Sequence, residues 1–154
     1  MKTTEMLAEE MPLTQRKEEL KKMADAYEGK QAPQVELQDQ RALYHLMPPA
    51  GWLNDPNGLC WYKGRYHVFF QYSPFTPQGG MKMWGHYSSP DLLHYEYHGI
   101  AIAPDEAYDR DGVYSGSAIC RGDKLYVFYT GNVKEKGDHD YILSGRGANV
   151  IRME

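Results

Sequence analysis

Cysteine is nearly absent: Cys60 and Cys120 are the only two in 154 residues. A small secreted fold stapled by disulfides is not indicated, and two reduced thiols buried in strands fit a cytoplasmic protein. The two occupy matching places in two repeated segments, so their Cα atoms are expected beyond the roughly 7 Å that a disulfide tolerates. No Cys/His spacing of the zinc type occurs, and no metal site is expected. Long apolar runs are missing too. No stretch approaches the ~18 apolar residues that would span a membrane. The opening MKTTEMLAEEMPLTQRKEEL is charged and has no apolar centre of the signal-peptide kind. Positive charge is in deficit, with 17 Lys and Arg against 21 Asp and Glu. A surface that tracks phosphates is therefore not indicated, and neither a nucleic-acid nor a membrane partner is expected.

Tyrosine is abundant, with 13 copies, beside 3 tryptophans. Rings with a polar edge pack well in strands and also suit the faces of sugars; strand packing is the plainer account of most of them. The chain is long enough for one domain with a real core. Residues 14–28 read as a helix, with Thr14 as N-cap and Leu20, Met23, Ala24 and Tyr27 on one face. Gly29 is a natural stop. Residues 30–40, polar and containing Pro33, read as a linker. From residue 42 the pattern turns to short strands. LCWYKGRYHVFFQY reads as a hairpin turning at Lys63-Gly64, and VYSGSAICRGDKLYVFYTG as a second turning at Gly122-Asp123. MWGHYSS and LHYEYHGIAI are further strands. Gly58 and Gly116 are 58 positions apart, and Val68 and Val127 are 59 apart. A hairpin-centred unit repeated at that period suggests the four-stranded blade of a β-propeller.

Asn54-Asp55-Pro56-Asn57-Gly58 is a run of turn formers, and a plain turn is its simplest reading. Trp52 and Leu53 anchor it in apolar structure, however, and Pro56 biases Asp55 towards an extended conformation. An aspartate so held is ionised at neutral pH and can attack without a base to activate it. DRDGVYSGS places Asp109, Asp111, Tyr114 and Ser115 before a second strand, where Ser-Gly-Ser most simply makes a bulge. Trp84 and His86 are most simply core residues. Gln71 ends an apolar strand, where its amide needs a partner. Together, at the ends of successive strands, these residues would furnish a sugar pocket at one end of a propeller.

WLNDPNG at 52–58, FFQY at 69–72, WGHYSSPDLLHYEYH at 84–98, DGVYSGSA at 111–118 and LYVFYTGN at 125–132, taken in that order, resemble the N-terminal part of glycoside hydrolase family 32. The bacterial sucrose-6-phosphate hydrolase and β-fructofuranosidase group is the nearest likeness. The resemblance implies an all-β fold of the five-bladed β-propeller type, here cut to about its first two blades, with an N-terminal helix. It implies retaining hydrolysis of terminal β-fructofuranosyl bonds in sucrose or sucrose 6-phosphate, with no cofactor. By the same resemblance Asp55 is the nucleophile, and Trp52, Leu53, Asn54, Gln71, Trp84, Tyr114 and Ser115 bind the sugar.

The pattern has departures. The family's acid/base glutamate sits in a Glu-Cys motif and a further pocket aspartate in an Arg-Asp-Pro motif; neither dipeptide nor tripeptide occurs here. Glu96, Asp105, Glu106, Asp109 and Asp111 match neither. After YTGNVKEKGD the chain shows no clear strand alternation, as if stopped early relative to the family. The expected organisation is a helical extension and linker over 1–40, the first blades of a propeller catalytic domain over 41–132, and a divergent tail over 133–154. The expected partner is a small sugar, with self-association through exposed blade edges. A sugar-binding fragment without turnover, a non-functional remnant, and an arabinan- or xylan-directed propeller hydrolase are the competing readings.

Overall fold

Leu20, Ala24 and Glu28 recur every four residues, which stacks them on one helical face. In the computed structural model, which describes residues 10–134 and the backbone of 148–153, that face is buried. The helix, α1, runs Leu13–Glu36, longer at both ends than expected. Pro12, not Thr14, stands at its start, and the Pro12 carbonyl accepts from the amides of Gln15 and Arg16 at 3.0 and 3.1 Å. A proline costs nothing there, because the first helical amides lack partners anyway. Gly29 does not take the left-handed conformation that would end the helix, and Pro33 lies inside the last turns. The expected linker is thus largely helix. Glu28 accounts for the continuation: it is buried and accepts a hydrogen bond from Tyr97 Oη at 2.8 Å, which holds the helix to the sheet beyond the expected stop.

Among the described residues seven strands follow: β1 Trp52–Tyr62, β2 Arg65–Ser73, β3 Met83–Ser89, β4 Glu96–Ile102, β5 Gly112–Arg121, β6 Lys124–Val133 and β7 Ala148–Met153. They form two antiparallel sheets, one in the order β1-β2-β3-β4 and one in the order β5-β6-β7. Both expected hairpins are present. Lys63 and Gly64 have φ of 45° and 78°, as the tight primed turn between right-twisted strands requires.

The first sheet is covered on both faces, which explains why β3 and the second half of β2, from Phe69 to Ser73, are buried almost without alternation. Phe70, Tyr72, Met83, Tyr87 and Ile100 pack towards Leu20 and Ala24 of α1. Phe69, Trp84 and Ile102 pack with Val113 and Tyr129 of the second sheet. Close packing sets Gly85: a Cβ there would lie 2.3 Å from the Phe70 ring. The connection before β5 is pinned by Asp109, fully buried, which accepts from Tyr129 Oη at 2.6 Å and from the amides of Asp105 and Glu106.

Two expectations about the strands are corrected as well. Asn54 to Gly58 form no turn: β1 runs straight through them with two irregularities in its register. Pro56 is tolerated because β1 is an edge strand and the proline adjoins a bulge, where no ladder amide is required. The tail is not devoid of strand either. Residues 135–147 lie outside the described part, but β7 pairs with β6 from Val133↔Ala148 to Phe128↔Met153. The ten-residue β6 offers an edge to which a segment can add by backbone bonds alone, whatever its side-chain pattern.

Candidate active site

The candidate residues collect at the irregularities in β1. Leu53 pairs with Tyr72 and Pro56 with Phe70, so Asn54 and Asp55 together oppose the single residue Gln71. Such a two-against-one bulge re-aims side chains at a strand edge. Gln71 in turn pairs with Trp84 of β3, and Trp84 with Ile102 of β4. Asn54, Asp55, Gln71 and Trp84 therefore lie in one row across the sheet.

The second sheet carries a matching bulge. Tyr114 pairs with Thr130 and Gly116 with Tyr129, which leaves Ser115 as the extra residue. The two bulges face each other: Ser115 Oγ donates to Asp55 Oδ2 at 2.5 Å. Beside them the Gly116 amide donates to Asn57 Oδ1 at 3.2 Å. Gly116 is required by the bulge's own packing on β6, since a Cβ would lie 1.9 Å from the Phe128 carbonyl oxygen.

Asp55 and Asn54 are exposed, while Gln71 is buried. Trp84 is fully buried and donates its indole N–H to the Tyr114 carbonyl at 3.0 Å. It therefore fixes the residue that precedes the Ser115 bulge. Tyr114 is half-buried. Leu53 packs with the core cluster on the α1 side. Trp52 is half-buried, with Lys82 Nζ 4.4 Å from its ring centroid. An ammonium over an indole is attracted by the ring's negative face. Two contributors were missed in the sequence. Asn57 could have been suspected from its place in the Asn54–Gly58 run. Lys82 carries no signal in its glycine-rich loop, yet its backbone also bridges the sheets, its carbonyl accepting from the Val113 amide at 2.8 Å.

The acidic residues that match no motif are engaged locally. Glu96 pairs with Arg65 at 3.0 Å, Asp105 with Lys17 at 3.5 Å, and Asp111 accepts from the Lys134 amide. Among the described residues no group of three or more His, Cys, Asp or Glu has the geometry to hold a metal ion. No helix among them is long and apolar enough to cross a membrane.

Residues 45–145 match the N-terminal domain of the glycosyl hydrolases family 32, and the chain belongs to that family. Its fold is that of the family's β-propeller, mostly strands with an N-terminal helix, the two sheets corresponding to blades. It is 44% identical over 124 residues to the sucrose-6-phosphate hydrolase of Bacillus subtilis strain 168, covering 80% of this chain and 26% of that protein. It is 46% identical over 102 residues to the raffinose invertase of Escherichia coli, covering 65% of this chain and 21% of that one. The structure of a Bombyx mori family 32 β-fructofuranosidase superposes with a TM-score of 0.74 at 32% identity, over 88% of this chain and 27% of that one. The chain thus spans about a quarter of the length of the relatives it matches.

Proposed function

We propose that this chain carries the nucleophile side of a retaining β-fructofuranosidase site, with sucrose or sucrose 6-phosphate as the substrate. The observation that carries the reading is the Asp55 carboxylate, raised on the β1 bulge and hydrogen-bonded by Ser115 from the neighbouring sheet. That bond would hold one carboxylate oxygen and leave the other to attack the fructosyl anomeric carbon. A retaining glycosidase then needs a second carboxyl group about 5–5.5 Å away, to protonate the leaving oxygen and later activate water. The names of the relatives, sucrose-6-phosphate hydrolase and raffinose invertase, support a fructosyl substrate. In this reading Trp52, Asn54, Gln71 and Tyr114 surround the sugar, and Trp84 holds the Tyr114–Ser115 backbone from beneath.

A second reading, a chain that binds the sugar without turning it over, is favoured by the absence of the Glu-Cys and Arg-Asp-Pro motifs from this sequence. Positioned general acid catalysis is worth about 10²–10⁴-fold, so the purified chain is expected to hydrolyse sucrose at least about a hundredfold more slowly than a complete relative. Fusion to the remaining three quarters of the Bacillus subtilis relative separates the readings. The fusion is expected to release glucose from sucrose and Asp55→Asn to abolish that release. A fusion that works equally well with Asn at position 55 overturns the nucleophile assignment. Calorimetric titration of the unfused chain with fructose tests the binding reading directly.

A further inference from the structure

The edge strands β1 and β5 run side by side and parallel, each contact between them joining residues about sixty positions apart. Asp55 meets Ser115, Asn57 meets Gly116, and Tyr62 Oη donates to the Asp123 carbonyl at 2.5 Å. Between these, a Cβ on Gly58 would lie 3.3 Å from that of Ala118. In that register the neighbour of Cys60 is Cys120. Cys120 Sγ lies 3.2 Å from the carbonyl oxygen of Trp61, the residue next to Cys60. The expectation that the cysteines are far apart is therefore wrong. Equivalent positions in successive blades are adjacent wherever the first strands of those blades touch. Nor are both thiols buried: both are free, Cys60 half-buried and Cys120 exposed. Burial first, and then the adjacent Cys120 thiol, push the Cys60 thiol up to about 11.

We propose that Cys60 and Cys120 form a dithiol site that closes to a disulfide across the seam between the two sheets when it meets a peroxide. The more exposed Cys120 reacts first. Its thiolate attacks one peroxide oxygen; an S–O bond forms, the O–O bond breaks, and the other oxygen leaves as water after taking a proton. Cys60, as thiolate, then attacks the sulfenic sulfur; the S–S bond forms, the S–O bond breaks, and hydroxide leaves and is protonated. Two thiols and one hydrogen peroxide become one disulfide and two waters. Burial keeps the thiolate fraction of Cys60 small, which slows this second step. The bridge would fix β1 against β5 a few residues beyond the Asp55–Ser115 contact without using any residue of the site.

The test uses the whole 154-residue chain, reduced, desalted and treated with hydrogen peroxide, then alkylated and weighed intact. A monomer lighter by about two mass units that takes up no alkylating agent is expected, with a Cys60–Cys120 peptide in its digest. Cys60→Ser and Cys120→Ser are expected never to show that loss, their remaining thiol gaining oxygen or alkylating agent instead. Closure is expected to be at least about tenfold faster in native buffer than in concentrated urea, because folding holds the thiols together while the unfolded chain must close a long loop. Two alkylated thiols persisting in the oxidised monomer, bridges formed only between chains, or closure no faster in buffer than in urea would each overturn the proposal.

Discussion

Trp84→Phe probes the joint between core and candidate site. The indole is fully buried between the sheets, with ring centroids 5.9 Å from Phe69 and 6.4 Å from Tyr129. Its N–H is bonded to the Tyr114 carbonyl at 3.0 Å. Phenylalanine keeps an aromatic ring in place but has no donor and less volume. The stranded carbonyl costs about 1–3 kcal/mol. The lost ring atoms add about 1 kcal/mol, comparable with removing a methylene or two from a packed core. The sum, about 2–4 kcal/mol, corresponds to a melting temperature lower by roughly 5–15 °C for a chain of this size. The measurement is thermal unfolding followed by near-ultraviolet circular dichroism, with Trp61→Phe as control. Trp61 is 53% exposed and packs edge-on against Tyr66, so its replacement should cost under about 0.5 kcal/mol. If Trp84→Phe melts within a degree or two of that control, the hydrogen bond to Tyr114 does not hold the seam, and the account of how Ser115 is positioned fails with it.

Burial raises the Glu28 carboxyl above its usual range, so the unfolded chain ionises first and stability falls as pH rises above about 4.5. Glu28→Gln keeps an acceptor for Tyr97 and is expected to gain on the order of 1 kcal/mol at pH 7 and nothing at pH 4; urea titrations giving equal gains at both pH values would contradict this. His86, between His67 at 2.9 Å and the His98 ring at 4.7 Å, is lowered to about 4, chiefly by burial and then by the two neighbouring imidazoles. The unfolded chain takes up that proton first, so stability is expected to drop as pH falls from 6.5 to 4, and His86→Phe to flatten the drop; parallel slopes in the two chains would refute it. In the fusion described above, Ser115→Ala is expected to lower kcat about tenfold with little change in KM, because Asp55 loses its orientation and not its charge; a change confined to KM would make Ser115 a binding residue instead.

Much of this molecule is legible along the chain. Lys63-Gly64 and Gly122-Asp123 mark their hairpins because a primed turn needs left-handed backbone that few residues supply. The 58–59-residue spacing of the two hairpins announces repeated blades, because each blade is a local unit with its own turns. The ordered motifs from Trp52 to Asn132 identify the family. What local reasoning misjudged depends on neighbours distant in sequence. Asn54–Gly58 carries turn chemistry, yet becomes a bulged edge strand because β2 supplies a partner and the bulge excuses Pro56 from the ladder. α1 outruns Gly29 and reaches Glu36 through Pro33 because Tyr97, 69 residues on from Glu28, holds that face down.

The residue types of the candidate site were determined by the sequence alone, and their meeting only by the tertiary structure. Asp55 and Ser115 are 60 positions apart, each on its own bulge, and nothing local to either says that the bulges face each other. The packing of Phe69 and Trp84 against Val113 and Tyr129 brings the sheets together, and that burial sets β1 beside β5. The same sixty-residue register that places a hydroxyl on the carboxylate places one thiol beside the other, because neighbouring edge strands of repeated units meet at equivalent positions.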